Sequence, residues 1–206
     1  MNIEAVAGTD QWFAARRGML TASRVADALA MLKTGKPSES RRKLAFELVA
    51  ERVTGILVER FVTPAMQWGI EQQSNAIQAY EELTGNIVGP ELFVLHPSVD
   101  WFGATPDGLV GEDGLLECKC PTTPTHVAWR LTGEVPDQHK PQMLAQLACT
   151  GRKWVDFVSF DPRIPGPARL FVRRFEPPRK RIEEVEEGAR KFLAEVAAMC
   201  EQLEAA

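Results

Sequence analysis

The chain has 206 residues, enough to bury one sizeable core and too few for two ordinary enzyme domains. Its 45% hydrophobic and 25% charged residues exclude a disordered chain, and no apolar run approaches the roughly 20 residues of a membrane span. The net charge of −4 discourages a nucleic-acid partner only on average, because residues 1–50 carry eight Lys/Arg against five Asp/Glu whereas residues 182–206 carry seven Glu against two basic residues.

The first residues lack the basic-then-apolar order of a signal peptide, and the four cysteines (Cys118, Cys120, Cys149, Cys200) read as reduced thiols, so a cytoplasmic protein is expected. Thr21-Ala-Ser-Arg-Val reads as a helix start, with Thr21 or Ser23 as N-cap and Val25, Ala28, Leu29 and Leu32 on one face. A second helix is predicted over 40–54, with Leu44, Leu48, Val49 and Val53 facing the core and Gly55 ending it. A third runs from about 69 to 83, with Ala76, Ile77, Tyr80 and Leu83 at helical spacing and Thr84-Gly85 as its stop.

The period then changes. Residues 91–95 are strand-like, and 101–110 and 115–120 flank the turn Gly111-Glu-Asp-Gly114, a hairpin pattern. A short helix over 141–149 is stopped by Gly151, and Trp154–Phe160 and Leu170–Phe175 follow as strands. From Arg179, the spacing of Ile182, Val185, Ala189, Phe192, Val196 and Leu203 predicts a long packing helix with an acidic, solvated face. The order implies a single α/β domain over 1–206, with a central mixed sheet flanked by helices: a helical portion over 1–60, a core over 61–175 and the helix over 179–206.

The chemistry concentrates in Gly103-Ala-Thr-Pro-Asp-Gly and Gly114-Leu-Leu-Glu-Cys-Lys-Cys-Pro. Side chains alternate along a strand, so Glu117 and Lys119 share one face while Leu116, Cys118 and Cys120 point to the other. A two-residue turn at Glu112-Asp113 would pair 108 with 117 and bring Asp107 beside Glu117. Oxygen ligands with few histidines nearby favour Mg²⁺ over Zn²⁺, and a lysine beside such a cation can orient or deprotonate its water. Gln142 and Gln146, four apart on one helical face, offer a further water-steering group.

Asp-(x)9-Glu-x-Lys, with its acid inside Thr-Pro-Asp-Gly, resembles the PD-(D/E)xK nuclease core. The ordered blocks Trp12-(x)3-Arg16-Arg17-Gly18, Thr21-Ala-Ser23, Trp68-Gly69, Thr84-Gly85, the two segments above and Leu144-Ala-Gln-Leu resemble the phage lambda exonuclease family, the YqaJ-like viral recombinases. The resemblance implies a Mg²⁺-dependent 5′→3′ exodeoxyribonuclease (Mn²⁺ being the alternative) that degrades one strand of linear duplex DNA. It further implies a homotrimer and a single-strand annealing protein as recombination partner, in a host bacterial cell, phage or prophage encoded.

By motif, Asp107, Glu117 and the backbone carbonyl of Cys118 would be metal ligands, Lys119 would activate water and Gln146 would position it. Arg16 and Ser23 would hold the 5′-phosphate. One position departs: the family's usual metal-binding glutamate falls at Gln73, which could still contribute to the metal through its amide oxygen or a water, and Glu71 lies about 200° away around the helix. Two alternatives stay open, an endonuclease built on the same core and an end-binding protein with weakened catalysis.

Overall fold

The computed structural model describes residues 2–58 and 61–205. Met1, Glu59, Arg60 and Ala206, at the limits of the expected 1–60 portion and 179–206 helix, lie outside the described residues. In chain order the elements are β1 (Asn2–Val6), α1 (Asp10–Ala15), β2 (Leu20–Thr21), a 3-10 turn (Ala22–Arg24), α2 (Val25–Ala28), α3 (Glu39–Thr54), α4 (Pro64–Thr84), β3 (Val88–Gly89) and β4 (Leu92–Leu95). There follow β5 (Phe102–Ala104), β6 (Gly108–Val110), β7 (Gly114–Lys119), α5 (Thr123–Thr132), α6 (Lys140–Thr150), β8 (Trp154–Phe160), β9 (Leu170–Phe175) and α7 (Arg179–Glu204).

The strands form two sheets. One has the order β1-β4-β5-β2; the other, β3-β6-β7-β8-β9, is mixed, with β7 and β8 parallel and its other pairs antiparallel. The parallel β7–β8 step is crossed by α5 and α6. Helix α6 packs on the face carrying Leu115, Val155 and Phe157, whereas Ala76 and Tyr80 of α4 cover the face carrying Leu116, Cys118 and Val158. The expected alternation along β7 therefore holds, with apolar cores on both sides of the strand.

Several expectations are corrected. The expected strand over 101–110 breaks at Thr105-Pro106-Asp107, so β5 and β6 join different sheets; Pro106 has no N–H for a continuous ladder. The hairpin pairs Gly108 with Leu116 and Val110 with Gly114, one residue from the expected register, because Gly111 adopts φ +53° and joins the loop as a third residue. The helix expected to reach Leu32 stops at Ala28, where Leu32 N–H turns back to Lys36 C=O and leaves the leucine exposed. Thr21 precedes the 3-10 turn without a side-chain cap bond, and Ser23 lies inside that turn.

The third helix begins earlier than 69, at Pro64, since the Thr63 hydroxyl accepts from Met66 N–H and proline suits the first turn. Val53, expected to face the core, and Leu83 and Leu203, which carry the helical spacing, lie in final helical turns and are exposed. Strands β8 and β9 occupy the predicted spans, and Ile182, Val185, Ala189, Phe192 and Val196 of α7 are buried as expected.

A polar junction ties the helices together. The buried Arg41 of α3 donates through Nε to Ala28 C=O (2.8 Å) and forks onto Glu195 of α7 at 2.7 and 2.9 Å. Arg41→Ala is expected to lose about 2 kcal/mol in urea denaturation, from the charged hydrogen bonds and the packed stem. A change below about 0.5 kcal/mol, the size typical of inert surface sites, would remove Arg41 from that role.

Candidate active site

Glu117 and Lys119 lie on the α6 face of β7, and Gln146 meets them from α6. Glu117 and Gln146 are both 0% exposed, and Gln146 Nε2 donates to Glu117 Oε2 at 2.5 Å. The Lys119 ammonium pairs with Glu117 Oε1. Gln146 Oε1 is buried and has no hydrogen-bond partner. This leaves an acceptor at the heart of the site that only a ligand or water can satisfy.

Asp107 enters from the Pro106 break. Its N–H donates to Leu116 C=O (3.1 Å), and Oδ2 accepts from Cys118 N–H at 2.6 Å. The carboxylate thus replaces the next backbone acceptor beyond the end of β6. Within a strand the N–H and C=O of one residue face the same neighbour, so the Cys118 carbonyl also emerges on the Asp107 side. Asp107, Cys118 and Lys119 line a cleft of about 850 Å³, together with Gln73 and Trp68 of α4, Trp129 of α5 and His139.

The electrostatics follow from burial. Removal from water, then the Glu117 charge, holds the Asp107 carboxyl well above its ordinary value. Burial alone would lower the pKa of Lys119, but Glu117 and Asp107 outweigh it and keep the ammonium charged beyond its usual range. Two carboxylates, a carbonyl and the orphaned amide oxygen make an all-oxygen donor set that suits a hard cation such as Mg²⁺. Among the described residues no group of three His, Cys, Asp or Glu side chains forms a ready-made cage. Such a set fits Mg²⁺, which keeps several of its waters.

Arg16 and Ser23 lie on the side of the other sheet, and neither is among the residues that line the cleft. Arg16 follows α1, and its guanidinium stacks 3.8 Å from the Trp12 ring; Trp12 Nε1 donates to Thr105, two residues before Asp107. The turn after Arg16 is clamped by α3: Gly18, at φ +66°, donates to the buried Glu51 (2.8 Å) and accepts from Arg52 Nε (2.9 Å). A Cβ there would lie 2.6 Å from Arg52 Cγ, so glycine is required twice over. Ser23 is exposed in the 3-10 turn following β2, its hydroxyl 3.3 Å from that of Thr21. Strand β2 pairs with β5, the strand that leads to Asp107.

Gln73 lines the cleft, and its amide Nε2 donates to Glu91 at 3.2 Å. Glu71 is exposed and engaged with Gln67, in keeping with its expected position around the helix. Sequence reasoning missed Glu91, whose only local signal is an acid after Gly89-Pro90 at the head of a strand. It also missed His139, held between Trp129 (5.2 Å) and Phe157 (5.5 Å), and Arg163, whose guanidinium lies 4.8 Å from the Trp68 ring. None of the three carries a motif.

Residues 11–153 match the family model of the YqaJ-like viral recombinase domain. The chain belongs to this family. The alkaline exonuclease LHK-Exo from Laribacter hongkongensis is 43% identical, with a TM-score of 0.88 over 95% of this chain and 96% of its own. The complex of LHK-Exo with dAMP gives the same TM-score and coverage at 42% identity. A phage-related exonuclease from Haemophilus somnus 129PT (14% identity, TM-score 0.62, 88% and 96% covered) shares the fold. No curated protein matches the chain significantly. These relatives support a nuclease role for the YqaJ-like chain. No helix among the described residues is long and apolar enough to cross a membrane.

His139 yields a stability test. Burial, then the Lys119 charge, lowers its pKa from 6.5 to about 4. Between those values the unfolded YqaJ-like chain binds more protons than the folded one, so stability falls as pH drops from about 6.5 to about 4. His139→Phe is expected to flatten this part of the pH dependence of Tm. His96, also lowered by burial, keeps a residual slope. An unchanged profile would show that His139 titrates freely.

Proposed function

We propose that the chain is a Mg²⁺-dependent 5′→3′ exodeoxyribonuclease acting on linear duplex DNA in phage-type recombination by single-strand annealing. The observation that carries this reading is the buried Gln146–Glu117–Lys119 chain beside Asp107, opening into a cleft. In this reading Asp107, Glu117 and the Cys118 carbonyl hold the cation. When bound, the cation offsets charge on the scissile phosphate and acidifies a water. Lys119, paired with Glu117 and lining the cleft, would orient the attacking water and take up its proton. Gln146 fixes Glu117 through Nε2 and offers Oε1 to a hydrogen of the water.

Arg16 and Ser23 hold the terminal 5′-phosphate. A guanidinium packed on Trp12 is pre-oriented for that role, and a phosphate there would set which bond reaches the carboxylates. Binding of dAMP by LHK-Exo supports a mononucleotide product. A single domain whose two cores share one sheet, a homotrimeric assembly, an annealing-protein partner and a bacterial cytoplasmic setting belong to the same proposal.

The test is digestion of a linear duplex with one phosphorylated 5′ end and separately labelled strands, with and without Mg²⁺ or Mn²⁺, beside a circular duplex. Metal-dependent loss of one strand from its 5′ end is expected, slowed at least about 100-fold by Lys119→Ala. Arg16→Ala should reduce the preference for phosphorylated over hydroxyl ends. Equal cutting of the circle would favour an endonuclease, and bound but undigested ends an end-binding protein.

A further inference from the structure

Glu91 is an acidic side chain near the cleft that the chemistry above leaves unused. It stands just before β4, and its backbone carbonyl accepts from Ala7 N–H (3.1 Å), which fixes the strand entrance against β1. The half-buried side chain accepts from Gln73 Nε2 at 3.2 Å and lies within electrostatic reach of Arg16, Glu117 and Asp107. It is therefore within electrostatic reach of both the proposed phosphate-holding arginine and the two carboxylates. On the carboxylate side the cation Lys119 is already paired with Glu117.

A third carboxylate in this position is costly: it is partly desolvated and repels two like charges, against which it has the neutral amide of Gln73 and the charge of Arg16. Such an arrangement makes sense where a cation completes it. The orphaned Gln146 Oε1, completely buried within the same group of side chains, independently marks a place where a ligand belongs. Glu91 is not close enough to Asp107 and Glu117 for the three to enclose a metal directly.

We propose that Glu91 is the third acidic group of the cation site, braced by Gln73 and acting on the cation through a bound water. This rests on the nuclease reading above and gives Gln73 a definite role, since the amide positions a carboxylate delivered by β4 instead of supplying one from α4. A carboxylate held one water away orients that water and adds negative potential without crowding the metal.

The experiment is calorimetric titration of Mn²⁺ and Mg²⁺ into the full chain without DNA, with thermal melts to show that each variant is folded. Glu91→Gln is expected to weaken cation binding about tenfold, the usual scale for partners one shell out from a metal. Gln73→Ala should weaken it less and add nothing in the Glu91→Gln background, because Gln73 works through Glu91. The exchange variant Gln73→Glu/Glu91→Gln restores a carboxylate–amide pair in reverse order and should recover most of the affinity.

Binding by Glu91→Gln within twofold of the parent, while Asp107→Asn loses it, would overturn the proposal and leave the nuclease reading intact. The same holds if Glu91→Gln leaves cation binding alone and weakens only capture of 5′-phosphorylated ends, which would make Glu91 a holder of Arg16. Equal binding by the parent and Asp107→Asn would instead overturn the cation site itself.

Discussion

The carboxylates of Asp107 and Glu117 meet on neighbouring strands in a place largely withdrawn from water, and their mutual repulsion is the constraint around which the surrounding elements are arranged. Each has been given a donor that cannot move away. Asp107 accepts from the Cys118 backbone within the sheet, and Glu117 accepts from an amide anchored on α6 and from Lys119 two residues along its own strand. Three elements must therefore be in register before the pair can exist. Burial, then the charge of Glu117, holds Asp107 above its ordinary pKa, and the attraction of both carboxylates outweighs burial to keep Lys119 charged.

The face of β7 that carries this chemistry is readable from sequence because strand alternation is a local rule. Leu116 and Cys118 have to oppose Glu117 and Lys119 wherever the strand lies. Long periodic elements such as α7, and apolar runs bounded by turns such as β8 and β9, are legible for the same reason. The Pro106 break is not, since the sequence on either side remains strand-like and only the sheet to which each half belongs separates them. Nor is α1, six residues with none buried, too short to display a period. The segment forming α5 likewise carries no clear pattern, although His126 lies buried between Ser159 and Ala168.

Glu91 shows a different limit. Nothing around it in sequence distinguishes it from a surface acid, and its partner Gln73 is 18 residues away on another element. A motif records residues whose spacing is fixed by one strand or one helix turn. It is blind to a carboxylate that can be delivered from either of two elements meeting at the same point. The glutamine at position 73, which reads as a loss from the motif alone, acquires a neighbour only when β4 is folded against α4.

The two sheets divide the labour implied by the site. Arg16 belongs to the four-stranded sheet's side of the molecule and the carboxylates to the five-stranded one, yet Trp12 Nε1 is bonded to Thr105, only two residues from Asp107. Between them stands Pro106, whose ring fixes one backbone angle of the connection. The clamp of Glu51 and Arg52 on Gly18 removes the remaining slack from the arginine's side. If Arg16 holds a terminal phosphate as proposed, its spacing from the carboxylates is fixed by Thr105–Asp107, the three residues that lead from one sheet to the other.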